Sequence, residues 1–213
     1  MRPYRQTITP ANVDADGLAD GNSSAGATVT LDGALTSGGS FTSADGLAHQ
    51  LNITDAGGDD QTTATYTITG TDANNIAQTE DISGPGVSAT VETTKYFRTV
   101  TSVAIASPVA GSTVDIGTVD EIVSPMIRLD FRGGNVALNA IVSGTVDYTV
   151  QQTVDNLTDT TTYDWLDHDD ADLVNATASI NGNYIAVPTA TRIKFNSYSS
   201  GASVKYNISQ SDV

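Results

Sequence analysis

Apolar and polar positions alternate along most of this chain, and the period is two. Ala27-Thr28-Val29-Thr30-Leu31 sets the pattern. It recurs at His49-Gln50-Leu51-Asn52-Ile53-Thr54, with Leu51 and Ile53 on one face, and at Ala64 to Gly70, with Tyr66 and Ile68 inward. Strict alternation over four to eight residues is the signature of a half-buried strand, because successive side chains of a strand point to opposite faces. Thr71-Asp72-Ala73-Asn74-Asn75 has turn chemistry and is followed by Ile76 to Ile82, so 64–82 predicts a β-hairpin. Further strands are expected at 87–91, 99–105 and 114–117, with Gly84-Pro85-Gly86 as a break.

A second set of strands follows Pro125. Met126 to Phe131 alternates apolar with charged residues, whereas Val136 to Val142 is more continuously apolar and is expected to be more buried. In 146–154, Val146, Tyr148, Val150, Gln152 and Val154 share one face. The last strands are expected at 176–180, 185–187, 190–195 and 203–208, with Asn181-Gly182-Asn183 and Ser199-Ser200-Gly201 as turns between them. Residues 1–25 lack a period and read as an extended arm with one short strand around Thr7-Ile8-Thr9. Short strands at this spacing predict an all-β protein of two tandem β-sandwich domains, Ig-like or jelly-roll-like. The expected boundaries are an extended N-terminal arm at 1–25, a first sandwich at 26–118, a linker at 119–125 and a second sandwich at 126–213.

Composition narrows the function classes. The 213 residues include 31 Thr, 19 Ser and 19 Gly, which suits strands and turns rather than helices. With no Cys there is no disulfide framework, thiolate metal site or cysteine nucleophile. The formal net charge is −16, from 9 Lys+Arg against 25 Asp+Glu, which argues against a nucleic-acid partner. No stretch reaches the length of a membrane helix, and the N-terminal residues lack the apolar segment of a secretory signal, so a soluble protein made in a cytoplasm is expected. The acids are uneven: no Lys or Arg lies between Arg5 and Lys95, which reads as a hydrated acidic surface.

Catalytic motifs are missing. No phosphate-binding glycine loop is present, and His49 and His168 are the only general-base imidazoles for a serine nucleophile, neither beside a serine elbow. The chain is therefore expected not to be an enzyme, and no cofactor is implied. Two other chemistries have candidates. Asp167, Asp169, Asp170 and Asp172 crowd one loop and offer the oxygen ligands calcium favours, although the loop lacks the glycine and distal glutamate of an EF-hand. The cluster Asp55-Gly57-Gly58-Asp59-Asp60 is a second acidic loop. Tyr163, Trp165 and Tyr184 are the aromatic residues that would form a glycan platform in a carbohydrate-binding or host-adhesion module.

Several stretches resemble virion-associated proteins of tailed bacteriophages. They are Thr67-Ile68-Thr69-Gly70-Thr71-Asp72, the acidic strand that ends in Gly84-Pro85, and Lys95-Tyr96-Phe97-Arg98-Thr99-Val100-Thr101-Ser102. In the second half, Val142-Ser143-Gly144-Thr145-Val146-Asp147-Tyr148-Thr149-Val150-Gln151, Trp165-Leu166-Asp167-His168 and the run from Asn181 to Ile193 resemble the same group. The resemblance spans most of 27–208. It implies a structural protein of the virion: a capsid decoration or cement protein on the head exterior, with a neck, tail or fibre-associated component as the alternative. The implied partners are the major capsid protein or other virion proteins, with a homo-oligomer as the natural state and a trimer matching a capsid three-fold. Arg2, Tyr4 and Arg5 are then the candidates for contacts to an acidic capsid surface, since Arg2 and Arg5 are the only early cations.

Overall fold

A computed structural model describes residues 3–129, 134–158 and 162–210. The sheets are built from antiparallel strand pairs, and the one helical element among the described residues is a 3-10 turn at Ala171–Leu173. The chain divides into two compact units, one discontinuous (Met1–Asn12 with Val123–Val213) and one continuous (Val13–Ile122). The expected arm at 1–25 is thus divided between them, and it contains strand. β1 (Tyr4–Ile8) belongs to the discontinuous unit.

The continuous unit holds β2 (Ala19–Ser23), β3 (Thr28–Val29), β4 (Thr36–Ser37), β5 (Ser40–Thr42), β6 (Ala48–Asp55), β7 (Thr65–Thr71), β8 (Ala77–Ser83), β9 (Thr90–Glu92), β10 (Thr99–Ala106) and β11 (Thr113–Val123) as far as Ile122. One sheet runs β4-β5-β10-β7-β8, with β3 also on β10. β6 pairs with β9, and β2 with β11. Leu18, Leu51, Tyr66, Ile68, Phe97 and Val100 are buried at its core. The expected hairpin forms, with β7 and β8 in register from Thr65↔Ser83 to Thr71↔Ala77. Its turn is held by the Asp72 carboxylate, which accepts from the backbone N–H of Asn74 and Ile76, both at 2.8 Å. β6 differs from the half-exposed strand expected: His49 and Asn52 are buried along with Leu51 and Ile53.

The stretch expected to be a linker, 119–125, is strand as far as Val123, and Ile122, Val123 and Ser124 are all buried. The strand expected at 114–117 thus continues past Gly117. The missing side chain of Gly117 lets β11 pass against the backbone of 14–15, where a Cβ would lie 2.0 Å from the Asp14 carbonyl oxygen.

The discontinuous unit continues with β12 (Ile127–Arg128), β13 (Val136–Ser143), β14 (Val146–Thr153), β15 (Leu166–Asp167), β16 (Ile180–Tyr184), β17 (Ala190–Tyr198) and β18 (Ser203–Gln210). A four-stranded sheet has the order β1-β18-β13-β16. A second set runs β15-β14-β17, with β12 also on β17. Tyr148, Val150, Ile193, Phe195, Val204 and Tyr206 are fully buried here. β13, expected to be the more buried strand, has one buried face: Val136, Leu138 and Ala140 are buried, while Ala137 and Ile141 are exposed and Asn139 is half-buried. Val146, Tyr148 and Val150 point inward as their spacing predicts, but Val154 lies beyond the end of β14 and is 76% exposed.

Asn181-Gly182-Asn183, expected as a turn, is the middle of β16. Two local causes override the turn chemistry. Leu173 packs where a Cβ of residue 182 would be, 2.5 Å from its Cδ1, so the glycine makes room for that side chain inside a strand. The Asn181 amide, meanwhile, is engaged across the sheet. The strand expected at 185–187 does not form. Among the 126–131 residues, the strand covers 127–128, Leu129 is buried, and 130–131 lie outside the described residues.

Candidate docking face

The outward side of the four-stranded sheet differs chemically from the rest of the chain. Along β18, Val204, Tyr206 and Ile208 are buried, so Lys205, Asn207 and Ser209 face the other way. The same alternation turns Ala137, Asn139 and Ile141 of β13 outward, with Asn181 and Asn183 of β16. On β1, Ile8 is buried while Arg5 and Thr7 are exposed.

Register then assembles these positions into rows. Arg5 lies opposite Asn207, Asn207 opposite Asn139, and Asn139 opposite Asn181. Thr7 lies opposite Lys205, and Lys205 opposite Ile141. Within the first row the amides are linked: Asn207 Nδ2 donates to Asn139 Oδ1 at 2.7 Å, and Asn139 Nδ2 donates to Asn181 Oδ1 at 2.5 Å. Each amide orients the next, so the row is a fixed ladder of dipoles across three strands, with a guanidinium-bearing residue at one end. The four strands contain no Asp or Glu, although the chain has 25. Arg5 and Lys205 are the cations of these four strands.

Of the three residues proposed for partner contact, Arg5 is on this face. Tyr4, 39% exposed, is its neighbour on the opposite side of β1; its hydroxyl donates to Gln6 Oε1 at 2.9 Å, and burial pushes its pKa up. Arg2 lies outside the described residues. Sequence reasoning missed Asn139, Asn181, Asn207 and Lys205. The alternate spacing of Asn139, Lys205 and Asn207 was visible, whereas Asn181 was expected in a turn; the register that aligns these amides across 42 and 68 residues of sequence is a tertiary property.

The aromatic platform does not assemble. Trp165 is half-buried and carries the Arg192 guanidinium 4.2 Å from its ring centroid, so one ring face is covered. Arg192 Nε donates to Gln151 Oε1 at 2.9 Å, and Gln151 Nε2 donates to Asp167 Oδ1 at 3.0 Å. This row locks the indole and Asp167 in place. Tyr163 is half-buried. Tyr184 is only 4% exposed; its hydroxyl is paired with Thr191 Oγ1 at 2.8 Å, its ring packs on His168 at 4.6 Å, and burial pushes its pKa up to about 12.

The acidic loop is likewise committed to structure. Asp170 accepts from the Asp172 N–H at 3.1 Å and caps the 3-10 turn, while Asp167 serves Gln151. Among the described residues, no three His, Asp or Glu side chains are arranged to hold a metal ion. Asp55, in the second acidic loop, is buried and fully occupied. Its Oδ1 accepts from Gly57 N, Asp59 N and Gln61 Nε2, and its Oδ2 from Ser88 N at 2.8 Å. Burial pushes this carboxyl up, but the hydrogen bonds outweigh it and hold the pKa below the usual carboxylate range. No helix among the described residues is long and apolar enough to cross a membrane. The chain matches no family model, no curated protein and no solved structure.

Proposed function

We propose that the chain is a structural protein of a tailed-bacteriophage virion that decorates the exterior of the head and stabilises it. The observation that carries this reading is the acid-free sheet face with Arg5, Lys205 and an interlocked asparagine row, on a chain of net charge −16. Supporting it are the strand and turn stretches that resemble virion-associated proteins.

In this reading each unit is a small β-sandwich, and the protein works as a binding module without catalysis. High negative charge keeps many copies soluble before assembly. A polar face docks once per lattice repeat, and repetition over the lattice supplies avidity that a single contact need not provide. The protein is then a component of the virion, bound to the major capsid protein and oligomeric in place.

The test is rebinding. Purified protein is mixed with emptied heads stripped of it, and the heads are sedimented; immunogold labelling of intact virions gives the location. Saturable co-sedimentation and label spread over the head are expected. Label confined to one vertex or to the tail moves the protein to the neck or tail component. Absence of label from virions overturns the reading.

A further inference from the structure

We infer that the outward face of β1, β18, β13 and β16 is the surface that seats the protein on a carboxylate-bearing protein surface, with Arg5 and Lys205 as its charged contacts. The inference rests on the head-decoration reading and names the partner's chemistry.

Charge distribution is the first argument. Among the described residues, the four strands that form this face carry two cations, Arg5 and Lys205, and no Asp or Glu. Presented to an anionic surface, a molecule of net charge −16 is repelled wherever carboxylates come forward. The acid-free face is where approach is not opposed, so the charge pattern selects one orientation.

Pre-order is the second. Asn207, Asn139 and Asn181 hold one another through bonds of 2.7 and 2.5 Å. Less side-chain freedom is therefore lost when a partner covers them than with separate surface amides. Ile141, 38% exposed and opposite Lys205, gives the face an apolar point among polar neighbours.

Size is the third. Two strands of eight residues and two of five, at about 3.4 Å per residue and about 4.8 Å apart, define roughly 400 Å². That is below the ~800 Å² per partner of a standard stable interface. A single contact should therefore be weak and salt-sensitive, which suits a module used in many copies.

The experiment is co-sedimentation of the full chain with emptied, stripped heads at about 50 and 500 mM salt. Arg5→Glu and Lys205→Glu are compared with Arg128→Glu, an exposed charge reversal on β12 outside the face. Thermal melts and sedimentation of each free protein accompany the binding assays. The expected result is a loss of at least about tenfold in affinity for Arg5→Glu and Lys205→Glu, a change within about twofold for Arg128→Glu, and weaker wild-type binding at high salt. Wild type that binds while both face variants bind equally well overturns the inference and leaves the decoration reading standing. Wild type that fails to bind overturns both. If the face variants keep their head binding but lose a self-association seen in the wild type, the face joins copies of this chain and the inference falls.

Discussion

His168 shows how a residue that suggests chemistry from sequence is used structurally. It is 5% exposed; its Nδ1 accepts the Asp170 N–H at 3.0 Å, and its Nε2 has no hydrogen-bond partner. The neutral ring therefore carries its proton on Nε2. Burial pulls the His168 pKa below 6.5, although Asp170 and Asp169 pull it up. The unfolded chain takes up this proton near pH 6.5 and the fold resists it. The stability involved is complete above pH 6.5 and is lost as pH falls through the lowered folded value. Thermal melts at pH 7.5 and 5.0 should show a drop in Tm for wild type that is clearly smaller for His168→Phe; equal drops would show that other groups govern this window. Asp55 has the opposite character, a buried carboxylate kept ionised by donors. In Asp55→Asn one oxygen becomes an NH2 group, and either Ser88 N–H or the Gly57, Asp59 and Gln61 donors lose their acceptor. A loss of about 2 kcal/mol is expected in a denaturant titration. Both residues were visible as titratable groups in acidic loops. Their roles were not, because what decides them is which backbone N–H groups the fold turns toward them.

Strands were legible wherever a hairpin is local and its two faces differ. β7 and β8 needed only their alternation and an Asp-x-Asn-Asn turn. Legibility failed where a glycine served packing rather than punctuation, as at Gly117 and Gly182. Gly70 also serves packing, within a strand that was legible: it pairs with Val100 beside the bulge between Val100 and Ser102, and a Cβ there would lie 1.8 Å from the Thr99 carbonyl oxygen. Gly70→Ala must move backbone apart in the middle of the sheet, so a loss of about 3 kcal/mol or more is expected, read as a lowered denaturation midpoint. The outer strand of that sheet, β8, is managed differently. Glu80 accepts from the Thr94 and Lys95 N–H groups at 2.7 and 2.9 Å, and Lys95 Nζ donates to the Thr79 carbonyl. These contacts occupy a strand that could otherwise template pairing with another chain. Lys95→Ala with Glu80→Ala should leave the strands formed by circular dichroism but increase concentration-dependent aggregation by light scattering.

The chain path has consequences for the molecule as a whole. Strand β1 opens the sequence, yet it completes the sheet of a unit whose other described strands begin only after Ile122. It pairs with β18 from Tyr4↔Ile208 to Ile8↔Val204, a separation of about two hundred residues that no local pattern can report. What sequence could show was a short strand near residue 7; its address is set by the free edge of β18. Ile8 is the buried side chain of β1, and the Ala11 carbonyl is held by the Tyr198 hydroxyl at 2.7 Å. Removing residues 1–12 therefore takes a whole edge strand from the discontinuous unit and nothing from the continuous one. Hydrogen exchange read by mass spectrometry should show faster exchange in β18 and β13, with protection in β7 and β10 unchanged. The continuous unit, 13–122, has its own core and is expected to fold as an isolated fragment with a cooperative thermal transition. If the truncation instead speeds exchange equally in β7 and β10, the two units share one cooperative transition. The discontinuous path would then describe connectivity without describing stability.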